Sequence, residues 1–432
     1  MTNFCPKLSV RVHTLGCKVN FCDSNAMCQA LLDAGFRLAA SAPADVEILN
    51  TCAVTARSVA KARTLIRRIR SENPRAFLLV TGCAARLPGE VLSSIGEANA
   101  VCPTSEDAVD QVLGHFGGGG HTALSGGFDL GRTRAFVKIQ DGCESFCTYC
   151  VVPHVRGNLR SLDGKAVVSL VEKALCEGFR EVVLCGVHLG HYGRDLAGTT
   201  FADILRLVAA VPGDFRIRLS SIEPLEITRE ILDMMASARV FCPHLHLPLQ
   251  SGSDRVLRAM NRPYTAESFL ETVATARATL NNPAITTDIM VGFPGETDED
   301  FAATLDVARK AAFARAHVFI FSPREGTPAA TMRPLVPHEE GARRSRLVRE
   351  ASARTAADYR ATLVGTTAEV VVEAVSNGFA EGFCARYQRI RFPAGGELTG
   401  SLASVYIEGL SPMDSSMIAA LTGAEKPEVC NE

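Results

Sequence analysis

Phe136-Val-Lys-Ile-Gln140-Asp-Gly-Cys143-Glu-Ser-Phe-Cys147-Thr-Tyr-Cys150 joins a short apolar run to a loop of three closely spaced cysteines. The run reads as a strand, and the C-x3-C-x2-C loop follows it at once. Similar runs recur at 181–185, 215–219, 244–247, 285–291 and 317–321, with helical patterns between them. Six βα units across residues 133–360 predict an α/β architecture, a partial (β/α)6 TIM-like barrel. Reactive groups of such barrels gather at the carboxyl ends of the strands. The cysteine loop sits at that face, so position and chemistry agree.

Toward the N-terminus, Cys17, Cys52 and Cys83 each follow an apolar run, at 8–14, 46–50 and 77–81. Helical patterns at 24–34 and 55–71 separate the runs. Cys17 to Cys52 is 35 residues and Cys52 to Cys83 is 31, close to the ~30 residues of a βαβ unit. The phrases Leu-Gly-Cys, Asn-Thr-Cys and Thr-Gly-Cys therefore fall where strands hand over to helices, along one edge of a parallel sheet. Buried cysteines acting as small hydrophobes are the plain alternative. Three at one register favour a shared site. Thiolates hold iron–sulfur clusters, and three thiolates leave one iron of a cubane open, as a catalytic zinc keeps one position free. A zinc knuckle would need a second C/H pair near the C-x3-C-x2-C loop, and none is there.

The chain has 432 residues, enough for several cores, and its 47% apolar and 21% charged residues are an ordinary globular balance. Net charge is −2, so only local patches could meet nucleic acid. Neither a secretory signal nor a window of ~18 apolar residues is evident. We therefore expect a cytoplasmic chain with no membrane contact, whose fifteen cysteines serve metal or redox chemistry rather than disulfides. Residues 1–116 read as the N-terminal α/β unit and 117–132 as a Gly-rich linker. Residues 361–422 hold strand patterns at 367–375, 388–392 and 402–407 between Gly-rich turns, predicting a small antiparallel β-barrel. Residues 423–432 form a tail.

The C-x3-C-x2-C spacing, with Tyr149 just before its last cysteine, resembles the signature of radical S-adenosylmethionine enzymes. With Cys17, Cys52 and Cys83 added, the resemblance narrows to the methylthiotransferases of that class and covers nearly the whole chain. Thr14-Leu-Gly-Cys-Lys-Val-Asn20 is most similar to the branch acting on tRNA N6-threonylcarbamoyladenosine. Asn50-Thr-Cys-Ala-Val-Thr55 and Cys150-Val-Val-Pro-His-Val-Arg-Gly157 also resemble the family. Asp23 stands near an acidic family position, and His154 stands where tyrosine is common.

The resemblance implies two [4Fe–4S] clusters, on Cys143/Cys147/Cys150 and on Cys17/Cys52/Cys83, together with S-adenosylmethionine. It implies a C-terminal TRAM-like barrel, a tRNA anticodon stem–loop as partner, and an electron donor such as a flavodoxin or ferredoxin. The reaction implied is hydrogen abstraction from C2 of the adenosine, sulfur insertion and methylation; the sulfur donor is unassigned. Alternatives are isopentenyladenosine in tRNA or a ribosomal-protein side chain as substrate, and, from another class, a non-catalytic iron–sulfur RNA-binding sensor.

For cofactor contacts the resemblance points to Tyr149 beside the adenine, to Glu223 in Ser220-Ser-Ile-Glu-Pro224, to Ser251 in Pro248-Leu-Gln-Ser-Gly-Ser253, and to Arg262 in Met260-Asn-Arg262. Gly186 follows a strand, where a glycine lets backbone approach a ligand. His188 and His191 read as pocket or structural groups, and Thr297 with Asp300 as a helix-capping pair. For RNA, Arg63, Arg67 and Arg70 share one helix face, and Arg386-Tyr-Gln-Arg-Ile-Arg-Phe392 interleaves cations with aromatics.

Overall fold

Every residue of the strand Val46–Thr51 is buried, as a parallel strand covered on both faces requires. In this computed structural model, which describes residues 8–40, 43–87, 96–118, 124, 126–128, 131–412 and 414–422, it is the middle of a five-stranded parallel sheet. The spatial order is Arg37–Leu38, Ser9–Thr14, Val46–Thr51, Phe77–Gly82, Ala100–Val101. Helix Lys18–Asp33 begins one residue after Cys17, earlier than the pattern at 24–34 implied. Helix Ala56–Glu72 buries Val59, Ala62, Ile66 and Ile69, the expected face, and Thr55 caps it through Ser58 N at 3.1 Å. Much of the Gly-rich joint and the tail lie outside the described residues.

Six parallel strands follow in sequential order. Ala135–Lys138, Glu181–Cys185 and Arg216–Leu219 form one sheet; His244–His246, Ala284–Val291 and Arg315–Ile320 form the next. Single bridges Ile217↔Phe241 and Ser221↔His246 join them into the expected partial barrel. Residues alternate along these strands: Val137, Leu184 and Ile217 pack outward under the helices, whereas Phe136, Val183 and Cys185 line the concave side. Helix Lys18–Asp33 reaches that concave side, with Cys22 packed on Phe136, Val183 and Cys185. Thr297 and Asp300 form the capping box of helix Asp298–Ala311. A short antiparallel pair, Gln140–Asp141 with Arg160–Ser161, brackets the cysteine loop. Two residues per strand leave too little periodicity to be read from sequence.

The last body is a closed five-stranded barrel in the order Thr367–Ser376, Phe379–Cys384, Arg389–Pro393, Met417–Leu421, Leu402–Leu410. Strands Phe379–Cys384 and Met417–Leu421 went unread in the sequence, being short and Gly- or Ala-rich. A buried ionic knot seats this barrel on the larger one. Glu181 accepts from Arg216 Nε and Arg218 Nε, each at 2.6 Å. The remaining guanidinium nitrogens donate to the carbonyls of Glu369, Phe383, Cys384 and Ala385. Among the described residues no helix is long and apolar enough to cross a membrane.

Candidate active site

Cys17, Cys52 and Cys83 leave three adjacent parallel strands at one edge, where register pairs Thr14 with Asn50 and Thr51 with Gly82. Asn20 lies between them. Its Oδ1 accepts from the Cys17 and Cys83 thiols at 3.6 and 3.8 Å, and its Nδ2 donates to Leu15 O and Thr51 O at 3.0 and 2.8 Å. Two glycines make this convergence possible. Gly16 has φ +119°, and a Cβ there would stand 2.9 Å from Cys52 Cβ; Gly82 has φ +90°, and a Cβ would stand 2.2 Å from Asn50 Oδ1. Burial pushes the Cys17 and Cys83 thiols up, partly offset by the neighbouring Arg156 guanidinium.

The second trio is held by backbone and by the Met260-Asn-Arg262 segment. Cys143 N donates to Gly157 O at 3.1 Å and Cys150 N to Cys147 O at 2.9 Å. Thr148 N donates to Met260 O at 3.1 Å, Asn261 Nδ2 donates to Ser145 O and Phe146 O, each at 3.1 Å, and Arg262 Nη1 donates to Cys147 Sγ at 3.3 Å. Arg262 also pairs with Glu223. Burial raises Cys147, against the pull of Arg262, and pushes Cys150 to about 12. Burial acts on Cys143 too, but hydrogen bonds from His188 and Ser145 outweigh it and lower that thiol. Buried thiolates need cationic charge to persist, and a bound metal deprotonates such ligands outright.

Glu226 links the histidines that follow strand Glu181–Cys185. Its Oε1 lies 2.6 Å from His188 Nε2 and 3.1 Å from His191 Nε2, and the two rings stack at 3.5 Å. His188 Nδ1 lies 2.9 Å from Ser145 Oγ and 3.7 Å from Cys143 Sγ. Burial lowers His188, but the Cys143 and Glu226 partners outweigh it and raise it to about 9. Among the described residues this is the only His/Cys/Asp/Glu trio whose ligand atoms all lie within 4.8 Å of one another. Neither cysteine trio is that tight. A single tetrahedral zinc, with bonds of about 2.3 Å, would need its sulfurs closer together, so the donor sets fit clusters better than one ion.

The proposed cofactor residues fall in different surroundings. Tyr149 packs beside Met260, Phe293 and Ala329, and Glu223 with Arg262 adjoins Cys147. At Gly186 a Cβ would stand 2.9 Å from Gln140 Oε1. The glycine thus makes room for Gln140, which accepts from His188 N and donates to Asp141 O and Gly142 O under the cysteine loop. Ser251 is fully buried and its Oγ meets Thr304 Oγ1 and Ser253 N, a structural setting.

Sequence reading missed the polar seam between the two trios. Arg156 Nη1 donates to both Asp141 oxygens at 3.0 and 3.1 Å, Nη2 donates to Asp23 at 3.0 Å, and Lys138 pairs with both carboxylates. Asp23 stands out in the sequence by its place after Asn20; its partners lie more than a hundred positions away. The candidate RNA faces are partly engaged within the fold. Arg70 donates to Glu97, Pro74 and Ala76 carbonyls, and Arg67 pairs with Glu97 at 3.7 Å. Arg386 donates to the Asn281 and Asn282 carbonyls. Ile390 and Phe392 enter the terminal barrel's core, while Arg389 and Arg391 point outward.

Residues 137–308 match the Radical SAM superfamily, and residues 9–102 match the family described as Uncharacterized protein family UPF0004. The chain is 36% identical over 416 residues to the threonylcarbamoyladenosine tRNA methylthiotransferase MtaB of Thermotoga maritima, covering 93% of this chain and 95% of that one. It is 34% identical to the protein of the same name from Bacillus subtilis, over 92% and 93% of the two chains. With the tRNA-2-methylthio-N(6)-dimethylallyladenosine synthase of Moorella thermoacetica it shares 35% identity over 91% and 94%. Among solved structures it resembles the radical S-adenosylmethionine methyltransferase TsrM of Kitasatospora setae, with TM-score 0.55 and 15% identity over 74% and 77% of the chains. That likeness concerns the fold.

Proposed function

The chain belongs to the tRNA methylthiotransferase family, and from that membership we propose that its two cysteine groups act as one active site. The reaction is conversion of N6-threonylcarbamoyladenosine at position 37 of tRNA, next to the anticodon, to its 2-methylthio derivative. The observation that carries this reading is the Asp141–Arg156–Asn20 seam, which runs from Gly142, the residue before Cys143, to the Cys17 and Cys83 thiols.

Cys143, Cys147 and Cys150 would hold one [4Fe–4S] cluster and Cys17, Cys52 and Cys83 the other. When bound, the first supplies the electron that cleaves S-adenosylmethionine, and the second supplies a site for the inserted sulfur. The protein's own part is orientation and exclusion of water. Asn261 and Thr148 pin the loop, and Arg262, braced by Glu223, gives Cys147 a charge-assisted donor. His188, oriented by Glu226, faces Cys143 in the same manner. Tyr149 supplies an aromatic face for the adenine, and Glu223 with Arg262 the polar ends of the cofactor.

Residues 1–116, 133–360 and 361–422 would then divide the work as cluster domain, radical barrel and TRAM-like RNA module. The reductant would be a flavodoxin- or ferredoxin-type donor, and the site of action the cytoplasm. Identity does not separate the threonylcarbamoyl from the dimethylallyl branch, since both stand near one third. Mass spectrometry of tRNA nucleosides from a host lacking its own methylthiotransferases separates them, with Cys147→Ala as the control. Appearance of 2-methylthio-threonylcarbamoyladenosine is the expected result. The isopentenyl product instead, or no nucleoside change from cluster-loaded protein, overturns the assignment.

A further inference from the structure

We propose that Arg324 reads the carboxylate of the threonylcarbamoyl group on the target adenosine, selecting this anionic substrate over a neutral hypermodified one. The inference rests on the function proposed above and names the residue that would confer its specificity.

Arg324 lies in the segment that leaves the last barrel strand, Arg315–Ile320. That segment is tied to the cysteine loop, since Ala329 N donates to Thr148 O at 2.9 Å and Ala329 packs with Met260 and Phe293 beside Tyr149. The residue thus stands on a segment beside the Cys143–Cys150 loop, at the carboxyl ends of the barrel strands where reactive groups gather.

Its surroundings are unlike those of the other buried arginines. Among the described residues six arginines are buried: Arg156, Arg216, Arg218, Arg262, Arg324 and Arg344. Five of them pair with Asp or Glu. Arg324 pairs with none among the described residues. It is 9% exposed, and its Nε is sealed from solvent with no hydrogen-bond partner among them. A guanidinium buried without a counter-charge is costly, and its planar fork matches a carboxylate bidentately. Lys18, the residue after Cys17, opens the helix whose Cys22 packs on the concave face. Asp288, on the same face, is paired with His246 at 3.3 Å. An isopentenyl group would bring no anion and leave Arg324 unpaired. A site built to bond a polar group rejects the analogue that lacks it.

The test is binding by fluorescence anisotropy, with cluster-loaded protein under anaerobic conditions. Labelled anticodon stem–loops would carry threonylcarbamoyladenosine, its methyl ester, isopentenyladenosine or unmodified adenosine. The wild type should favour the free carboxylate over the other three by about tenfold, the scale of a charge-assisted bond. Arg324→Gln should abolish that preference with iron content and cluster spectrum unchanged, and Arg324→Lys should keep part of it. The ester measures the same contact without altering the protein. Equal weakening of all four stem–loops would assign Arg324 to a backbone phosphate and overturn the proposal. Loss of iron without loss of preference would assign it to holding a cluster and overturn the proposal as well. A wild type that makes no methylthio nucleoside refutes the function itself, whereas an active wild type indifferent to esterification refutes this inference alone.

Discussion

Arg156 and Asn20 are 136 positions apart, and Arg156 Nη2 donates to the Asn20 carboxamide oxygen at 2.8 Å. The same oxygen accepts from the Cys17 and Cys83 thiols. From its other side Arg156 grips Asp141, whose Oδ1 accepts from Gly142 N at 2.8 Å, immediately before Cys143. A hydrogen-bonded path therefore runs from Gly142, the neighbour of Cys143, to the Cys17 and Cys83 thiols. Its members are buried or half-buried, so water competes weakly for these bonds.

Arg156→Leu removes the cation between two carboxylates and leaves Lys138 to hold both. Breaking one partner of a buried ionic network costs about 3 kcal/mol or more. Urea unfolding followed by circular dichroism should show a loss of that size. A change below ~0.5 kcal/mol, the range of an ordinary surface substitution, would mean the seam contributes nothing to holding the two bodies together.

Cys52→Ala should separate the two chemistries. Reductive cleavage of S-adenosylmethionine, read as 5′-deoxyadenosine, continues because Cys143, Cys147 and Cys150 are intact. Methylthiolation ceases, and iron falls from about eight to about four per chain if each cluster holds four. Full methylthiolation by this variant would end the two-cluster reading.

Gly82→Ala places a Cβ against Asn50 Oδ1 and the Thr51 backbone at a φ of +90°. The backbone cannot keep that conformation at low cost, so Cys83 must move. The expected result is loss of the Cys17/Cys52/Cys83 cluster with the other retained, seen as halved iron and a simplified electron paramagnetic resonance spectrum. An unaltered spectrum would show that Cys83 needs no such tight approach.

Glu181→Gln tests the knot that seats the terminal barrel, and the effect depends on pH. Burial alone would raise the Glu181 carboxyl, but Arg218 and Arg216 outweigh it and hold it at about 2, below the ordinary 4.5. A depressed carboxyl stabilises the fold fully above its unfolded pKa, and that contribution fades as pH falls toward the folded one. Wild type should therefore exceed Glu181→Gln by about 3 kcal/mol at neutral pH, with the gap closing between about pH 4.5 and 2. A gap independent of pH across that window would show that the carboxylate's charge is not what matters.

Cys143, Cys147 and Cys150 were legible because loop spacing alone brings their sulfurs near one another. Cys17, Cys52 and Cys83 were legible because βαβ periodicity puts successive strand ends along one edge. Those two local rules also gave the partial barrel and its flanking sheet. The short strands escaped, since two residues at Gln140–Asp141 carry no period and Gly382 in Phe379–Cys384 weakens the β signal.

Sequence by itself determined which residues carry sulfur and which strands present them, because both follow from spacing over a few residues or one repeat. Only the tertiary structure decided what surrounds those sulfurs. Arg156 reaches Asn20, Arg262 reaches Glu223 and Cys147, and Glu181 gathers two arginines under carbonyls far along the chain. Arg324 is left buried and unpaired among the described residues. Such pairings depend on how the helix Lys18–Asp33 and the terminal barrel pack against the open barrel. A guanidinium's partner is set by that packing, and nothing in its neighbours along the chain encodes it.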